Sequence, residues 1–182
     1  IPPNLRVFES RDLADQIRAL ITRIDFDIIQ IEDSHMSIYL DVLPKSIHSQ
    51  TILTFHDVNF KKYEGLIQLE PKSTRKARTW LHSYMMRRWE PFYAERFGCC
   101  VAMSDSDRDL LQAANPKLKI EVIPNGVDTK QYQFLPFSEK APTLIFVGNM
   151  AYRPNIDAVS YFCHSIYPKI KAEYPQAEFW VV

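Results

Sequence analysis

The side chains best placed for chemistry follow short apolar runs that read as strands. His56 and Asp57 follow residues 50–55 (QTILTF), and Glu32 and Asp33 close residues 27–32 (DIIQIE) and begin what comes next. Ser104 follows residues 99–103 (CCVAM), Pro124-Asn125-Gly126 follows residues 120–123, and Gly148-Asn149 follows residues 143–147 (TLIFV). A histidine at a strand end can hydrogen-bond a sugar hydroxyl or a phosphate; the plain alternative is a solvated loop residue. Glu32 and Asp33 read either as a general base pair or as a solvated turn. Gly148 just ahead of a helix lets backbone N–H groups approach a phosphate, whose charge the helix dipole favours. Arg153 at that helix start could add a charge-assisted contact. The alternative for Gly148 is a strand-to-helix turn that needs glycine sterically. Lys72, Arg75, Lys76, Arg78, Arg87 and Arg88, interleaved with Trp80, Tyr84 and Trp89, suit anionic lipid headgroups or RNA. The competing reading is a solvated helix face whose aromatics lie in the core.

The elements that must position these residues alternate strand and helix. Ser10 caps a predicted helix with apolar positions Leu13, Ile17, Leu20, Ile21 and Ile24 at helical spacing. Residues 36–43 read as a short helix ended near Pro44, and residues 61–69 as a helical turn or two. Residues 73–96 form a long helix with one apolar stripe, Leu81, Met85, Trp89 and Phe92, and a bend at Pro91. Ser104 and Asp107 stand in capping-box spacing at the head of a helix reaching about residue 114. A helix over about 155–174 and a strand over 178–182 complete the visible order. Alternation of this kind, with near-continuous apolar strands, predicts α/β architecture with a parallel sheet covered on both faces. The organisation expected is a first domain over 1–123, a polar connector over 124–142, and the first β-α-β of a second domain over 143–182.

Composition narrows the classes. The chain has 182 residues, enough for one ordinary domain or two small ones. Lys plus Arg and Asp plus Glu are 22 each, so no global field draws nucleic acid, and no nucleic-acid partner is expected. The 4 glycines, Gly65, Gly98, Gly126 and Gly148, are scattered, which excludes a Gly-x-Gly-x-x-Gly loop and a P-loop within this chain. The 3 cysteines include no Cys-x-x-Cys, which argues against a zinc knuckle or disulfide framework and for a reducing, cytoplasmic setting. No metal ligand set is expected. The chain starts without Met and stops inside an apolar strand, so it reads as a central fragment of a longer protein.

Four stretches carry a family resemblance. "VIPNGVD" (122–128) follows a Ser-Asp-Ser-Asp-Arg helix start and precedes a strand ending in Gly. "TILTFHDVN", "CCVAMSDSDRDLL" and "LIFVGNMAYRPNIDAVSYFCHSIYPKI" stand in order around it. Together they resemble the family 4 (group 1) glycosyltransferases of GT-B fold, and are similar to bacterial polysaccharide-type sugar transferases whose loop reads Gly-x-Met-x-Tyr-x-Pro-Asn. The resemblance covers about residues 25–182. Asp57 stands where members often have Asn. It implies two Rossmann-like domains, with the N-terminal Gly-rich loop before Ile1 and the nucleotide-sugar-gripping glutamates after Val182. It further implies sugar transfer from a nucleotide-sugar donor to the hydroxyl of a glycan or lipid-linked acceptor, in polysaccharide or glycan biosynthesis, typically with retention and with no cofactor or tightly bound metal. His56 would contact the donor sugar and the transition state; Gly148, Asn149 and Arg153 would lie beside the donor diphosphate; Asn125 would lie at the interdomain cleft.

Two alternatives stand beside this reading. One is a nucleotide-sugar 2-epimerase of the same fold, with Glu32 as a candidate carboxylate. The other is a non-catalytic module that docks a membrane or partner through residues 72–89, peripheral at the inner face of the membrane. The chain itself is expected to be inactive, either to self-associate through its apolar residues 143–182 or to have that segment poorly ordered, and to have a Gly148 N–H facing open space, so that Gly148→Val leaves the fold intact.

Overall fold

β2 (Thr51–Phe55) is the most enclosed strand, with four of its five residues buried. It lies between β1 (Ile29–Glu32) and β3 (Cys99–Ala102), and β4 (Ile120–Val122) closes a four-stranded sheet in the order β1-β2-β3-β4, all parallel. This computed structural model describes residues 2–69, 73–133 and 142–182. The chain divides into two units, Ile1–Gly126 and Val127–Val182. The connector stretch 134–141 and the patch residue Lys72 lie outside the described residues.

The first unit is an α/β layer structure. Leu53, Phe55, Cys100 and Ala102 of the sheet pack with Leu40, Met86 and Leu111 into one core, each at most 1% exposed. Burying a large apolar side chain contributes roughly 1.5–3 kcal/mol. α1 (Arg11–Ile21) starts where Ser10 accepts the Leu13 N–H at 3.2 Å. It applies Leu13, Ala14, Ile17 and Ile21 to the core, whereas Leu20 is exposed and Ile24 is exposed beyond the helix end. The helix expected over 36–43 is a 3-10 segment, Ser34–Val42, begun by Asp33. Its Tyr39 hydroxyl accepts from Ser10 N–H at 2.8 Å and donates to the Phe8 carbonyl at 2.7 Å, fastening the N-terminal segment. A Cβ on Gly98, just before β3, would overlap the Ser49 carbonyl, so only glycine fits there.

Between β2 and β3 run α2 (Asn59–Leu69) and α3 (Thr74–Ala94). α3 differs from expectation in which face it buries. The residues turned inward are Ser83, Met86, Glu90, Pro91 and Ala94. Leu81 and Phe92 of the expected stripe are 48% and 56% exposed, and Met85 and Trp89 are half-buried. The physical reason is polar pairing. The Ser83 hydroxyl donates to the Phe60 carbonyl at 3.1 Å, and Glu90 accepts from the head of α2, so a face with two polar residues is satisfied inside. α3 continues to Ala94 beyond the buried Pro91. α4 (Asp105–Ala114) links β3 to β4.

The second unit is one parallel pair, β5 (Thr143–Phe146) and β6 (Glu178–Val181), joined by α5 (Arg153–Tyr161), a π-type turn (Phe162–Ile166) and α6 (Tyr167–Glu173). Helices cover one sheet face: Phe162 and Phe179 rings meet at 4.4 Å, and Tyr167 donates to the Ala177 carbonyl at 2.8 Å. Ile145 and its register partner Trp180 are 61% and 55% exposed. Within this unit the sheet is therefore covered on one face, not two.

Candidate functional site

Parallel pairing places the ends of β1 and β2 side by side. Glu32 is in register with Thr54, and the Asp33 N–H donates to the Thr54 carbonyl at 3.0 Å. Two residues beyond Thr54, the His56 ring turns back, so that Nε2 lies 2.8 Å from Glu32 Oε2. The other carboxylate oxygen accepts from Gln30 Nε2 at 2.5 Å and from Thr54 Oγ1 at 3.4 Å. Glu32 is thus fixed by its own strand and by its neighbour. Both side chains of the pair remain about half exposed, His56 at 49% and Glu32 at 52%. With the Nε2 proton on Glu32, Nδ1 is left as an acceptor. An imidazole oriented by a carboxylate can take a proton or hydrogen bond from a hydroxyl and stabilise the resulting charge. Sequence reading marked both residues but not their contact, because 24 residues separate them.

A second histidine–carboxylate pair stands next to it. Asp33 adopts φ 70°, unusual for a non-glycine residue, and its Oδ1 accepts the His35 N–H at 2.9 Å and lies 2.7 Å from His35 Nδ1. Burial works to raise the Asp33 carboxyl, but the ring and backbone N–H of His35, with Asn59, overcome it and hold the group down at about 2. The Phe8 ring lies 4.9 Å from the His35 ring.

Beneath both loops is Glu90, 1% exposed. Its Oε1 accepts from Ser34 Oγ at 2.5 Å, Asn59 Nδ2 at 3.1 Å and Asn59 N–H at 3.3 Å; its Oε2 accepts the Phe60 N–H at 3.3 Å. Asn59 also donates to Ser34 Oγ at 2.7 Å. Burial pushes the Glu90 carboxyl above the ordinary value, against these four donors. One side chain of α3 therefore ties the loop after β1 to the loop after β2. His35, Asn59 and Glu90 were missed from sequence. The available signal was Glu90 at helical spacing from Met86 and Ser83, a carboxylate on what the fold makes the inner face.

The remaining candidates are placed as follows. Ser104 is committed to α4: its hydroxyl accepts the Asp107 N–H at 3.2 Å and donates to Asp107 Oδ2 at 2.7 Å. Asn125 is exposed on the extended stretch after β4, in the first unit. Gly148, Asn149 and Arg153 belong to the second unit. The Gly148 N–H donates to the Val182 carbonyl at 2.9 Å, so it does not face open space as expected. A Cβ there would sit 2.8 Å from Asn155 Nδ2 and 2.9 Å from the Phe146 ring, so any larger residue would have to displace those two side chains. The Asn149 side chain accepts the Ala151 N–H at 2.8 Å, and its carbonyl accepts from Asn155 Nδ2 at 3.0 Å, which shapes the turn into α5. Arg153 is exposed in the first turn of α5. Among the described residues, no three His, Cys, Asp or Glu side chains gather as a metal site.

No curated protein matches the chain. The family model described as Glycosyltransferase Family 4 matches residues 1–131. That span holds the whole four-stranded sheet, the His56–Glu32 pair and the Glu90 network beneath it, and the chain accordingly belongs to glycosyltransferase family 4.

Proposed function

We propose that the protein transfers a sugar from a nucleotide-sugar donor to the hydroxyl of a glycan or lipid-linked acceptor, with retention, in polysaccharide or glycan assembly. Family membership supports the reaction class. The observation that carries the site is the His56–Glu32 pair at the carboxyl end of a parallel sheet, where open α/β sheets bind ligands.

In this reading the acceptor oxygen bonds to the anomeric carbon as the bond from that carbon to the donor diphosphate breaks. The nucleoside diphosphate leaves with the electron pair, and the acceptor proton passes to its departing oxygen. His56, steadied on Glu32, hydrogen-bonds the donor sugar while positive charge builds on the ring. Arg153, exposed in the first turn of α5, is the group of the second unit assigned here to the diphosphate's charge. Groups aimed at developing charge lower the barrier because their orientation is set in advance.

The test is transfer from a labelled nucleotide sugar by wild-type protein and His56→Ala. The variant is expected to lose roughly 10²-fold or more in kcat, within the range for positioned polar groups, with its unfolding midpoint unchanged. Equal turnover in the two proteins removes His56 from the site. Conversion of the donor's sugar without any acceptor identifies an epimerase instead.

A further inference from the structure

His56 and Glu32 meet across two loops, and the groups that tie those loops together lie elsewhere. Ser34 stands just beyond Glu32, and Asn59 and Phe60 just beyond His56. All three hydrogen-bond Glu90. Ser34, Asn59 and Glu90 are 1%, 2% and 1% exposed, whereas His56 and Glu32 are about half open to solvent. A buried polar frame therefore carries an exposed pair.

The backbone of the first loop follows from the same frame. Asp33, between Glu32 and Ser34, holds φ 70°. A residue other than glycine stays in this region only where its surroundings fix it. Here the Asp33 N–H donates to the Thr54 carbonyl at 3.0 Å, and its carboxylate accepts the His35 N–H at 2.9 Å. On one side of this turn Glu32 reaches His56, and on the other Ser34 reaches Glu90. Burying three polar side chains costs more than burying apolar ones of the same volume. What hydrogen bonds add is fixed distance and angle, on which a reaction at a positioned group depends steeply.

We propose that Glu90 is a positioning residue for sugar transfer: through Ser34 and Asn59 it sets the spacing of the loops after β1 and β2, and so holds the His56 ring on Glu32. This role rests on the sugar-transfer reading, while the alignment of the ring can be followed without substrate.

The experiment reads the His56 ring nitrogens by NMR of the isotope-labelled 182-residue chain. His56→Ala identifies the signals, and Glu32→Gln gives the signature of a ring that has lost its carboxylate. Glu90→Ala should move the signals towards that signature. Glu90→Gln, which keeps an acceptor for Ser34 and Asn59, should return them. Leu111→Ala opens a cavity in the same core from α4, and should loosen the fold while leaving the ring signals in place. In transfer assays Glu90→Ala should lower kcat by roughly tenfold with KM for the donor little changed. Adding Glu32→Gln should cost nothing further, because both act through one contact. Ring signals at wild-type positions in folded Glu90→Ala overturn the proposal. So do equal shifts in Leu111→Ala, or losses that multiply when Glu90→Ala and Glu32→Gln are combined. If Glu90→Ala does not fold, Ser34→Ala takes its place, since it releases the loop after β1 from Glu90; an unmoved ring there overturns the proposal equally. Signals that move as expected in a protein without transfer remove the sugar-transfer reading and leave the alignment of His56 assigned to Glu90.

Discussion

Glu90 caps a helix other than its own: its carboxylate accepts the backbone N–H of Asn59, the first residue of α2, at 3.3 Å, and the side-chain amide of the same residue at 3.1 Å. The first N–H groups of a helix have no partner inside it, and Glu90 supplies one from another helix. Phe60 N–H and Ser34 Oγ join the same carboxylate. Glu90→Ala would strand these donors in a site closed to water, each worth about 1–3 kcal/mol when buried unpaired. We expect a loss of about 3 kcal/mol or more, and a smaller loss for Glu90→Gln, which keeps an acceptor. Urea unfolding of the three proteins checks the order; a wild-type midpoint for Glu90→Ala would refute it.

Stability should respond to pH with opposite signs at two carboxyls. Asp33 is held at about 2 in the fold against an ordinary 3.8, so its contribution is present above 3.8 and lost as pH falls through about 2. Glu90 is raised above its ordinary 4.5, so the fold holds its proton longer than the unfolded chain does, and stability declines as pH rises past 4.5. Asp33→Asn should flatten the acid limb of a stability profile, and Glu90→Gln the decline above it. Identical limbs in either variant and wild type would assign the pH dependence elsewhere.

Glu32→Gln separates orientation from presence at the site. The amide keeps the size of the side chain but removes the charge that steadies the His56 ring 2.8 Å away. Transfer should fall by roughly tenfold in kcat with KM for the donor little changed, less than in His56→Ala. Transfer equal to wild type would leave Glu32 with no part in positioning His56.

Gly148→Val should destabilise the second unit rather than act on chemistry alone. The new side chain meets Asn155, which holds the Asn149 carbonyl, and the Phe146 ring. Overpacking of this kind costs about 1–3 kcal/mol. Thermal unfolding monitored by tryptophan emission would report it through Trp180; a variant as stable as wild type would show that the turn yields.

The open face of the two-stranded sheet should drive association. Ile145, Val147, Trp180 and Val182 are all more than half exposed, and Ile145 and Trp180 are register partners on one side. Contiguous apolar surface of this kind seeks a cover. Sedimentation velocity should show dimers or larger species of the 182-residue chain, dispersed by Ile145→Lys. A monomer at all concentrations would contradict this.

What the amino-acid sequence determined by itself is local. Apolar runs bounded by polar turns located the six described strands to within about two residues, because strands of a parallel sheet are rich in apolar residues along their length. Ser10, Ser73 and Ser104 begin α1, α3 and α4, because a cap acts on N–H groups two or three residues away. The motif order around TILTFHDVN and VIPNGVD was enough to reveal the family. Tertiary structure decided whatever depends on residues far apart in the chain. Periodicity assigned the inner face of α3 to Leu81 and Phe92, yet buried hydrogen bonds to Phe60, Asn59 and Ser34 outweighed those apolar contacts and turned Ser83 and Glu90 inward. The partners of His56 and Glu90 lie 24 and 56 residues away, at Glu32 and Ser34. Only the pairing of β1 with β2, and the packing of α3 beneath their ends, brings them within reach, since a hydrogen bond acts over about 3 Å whatever the separation in sequence.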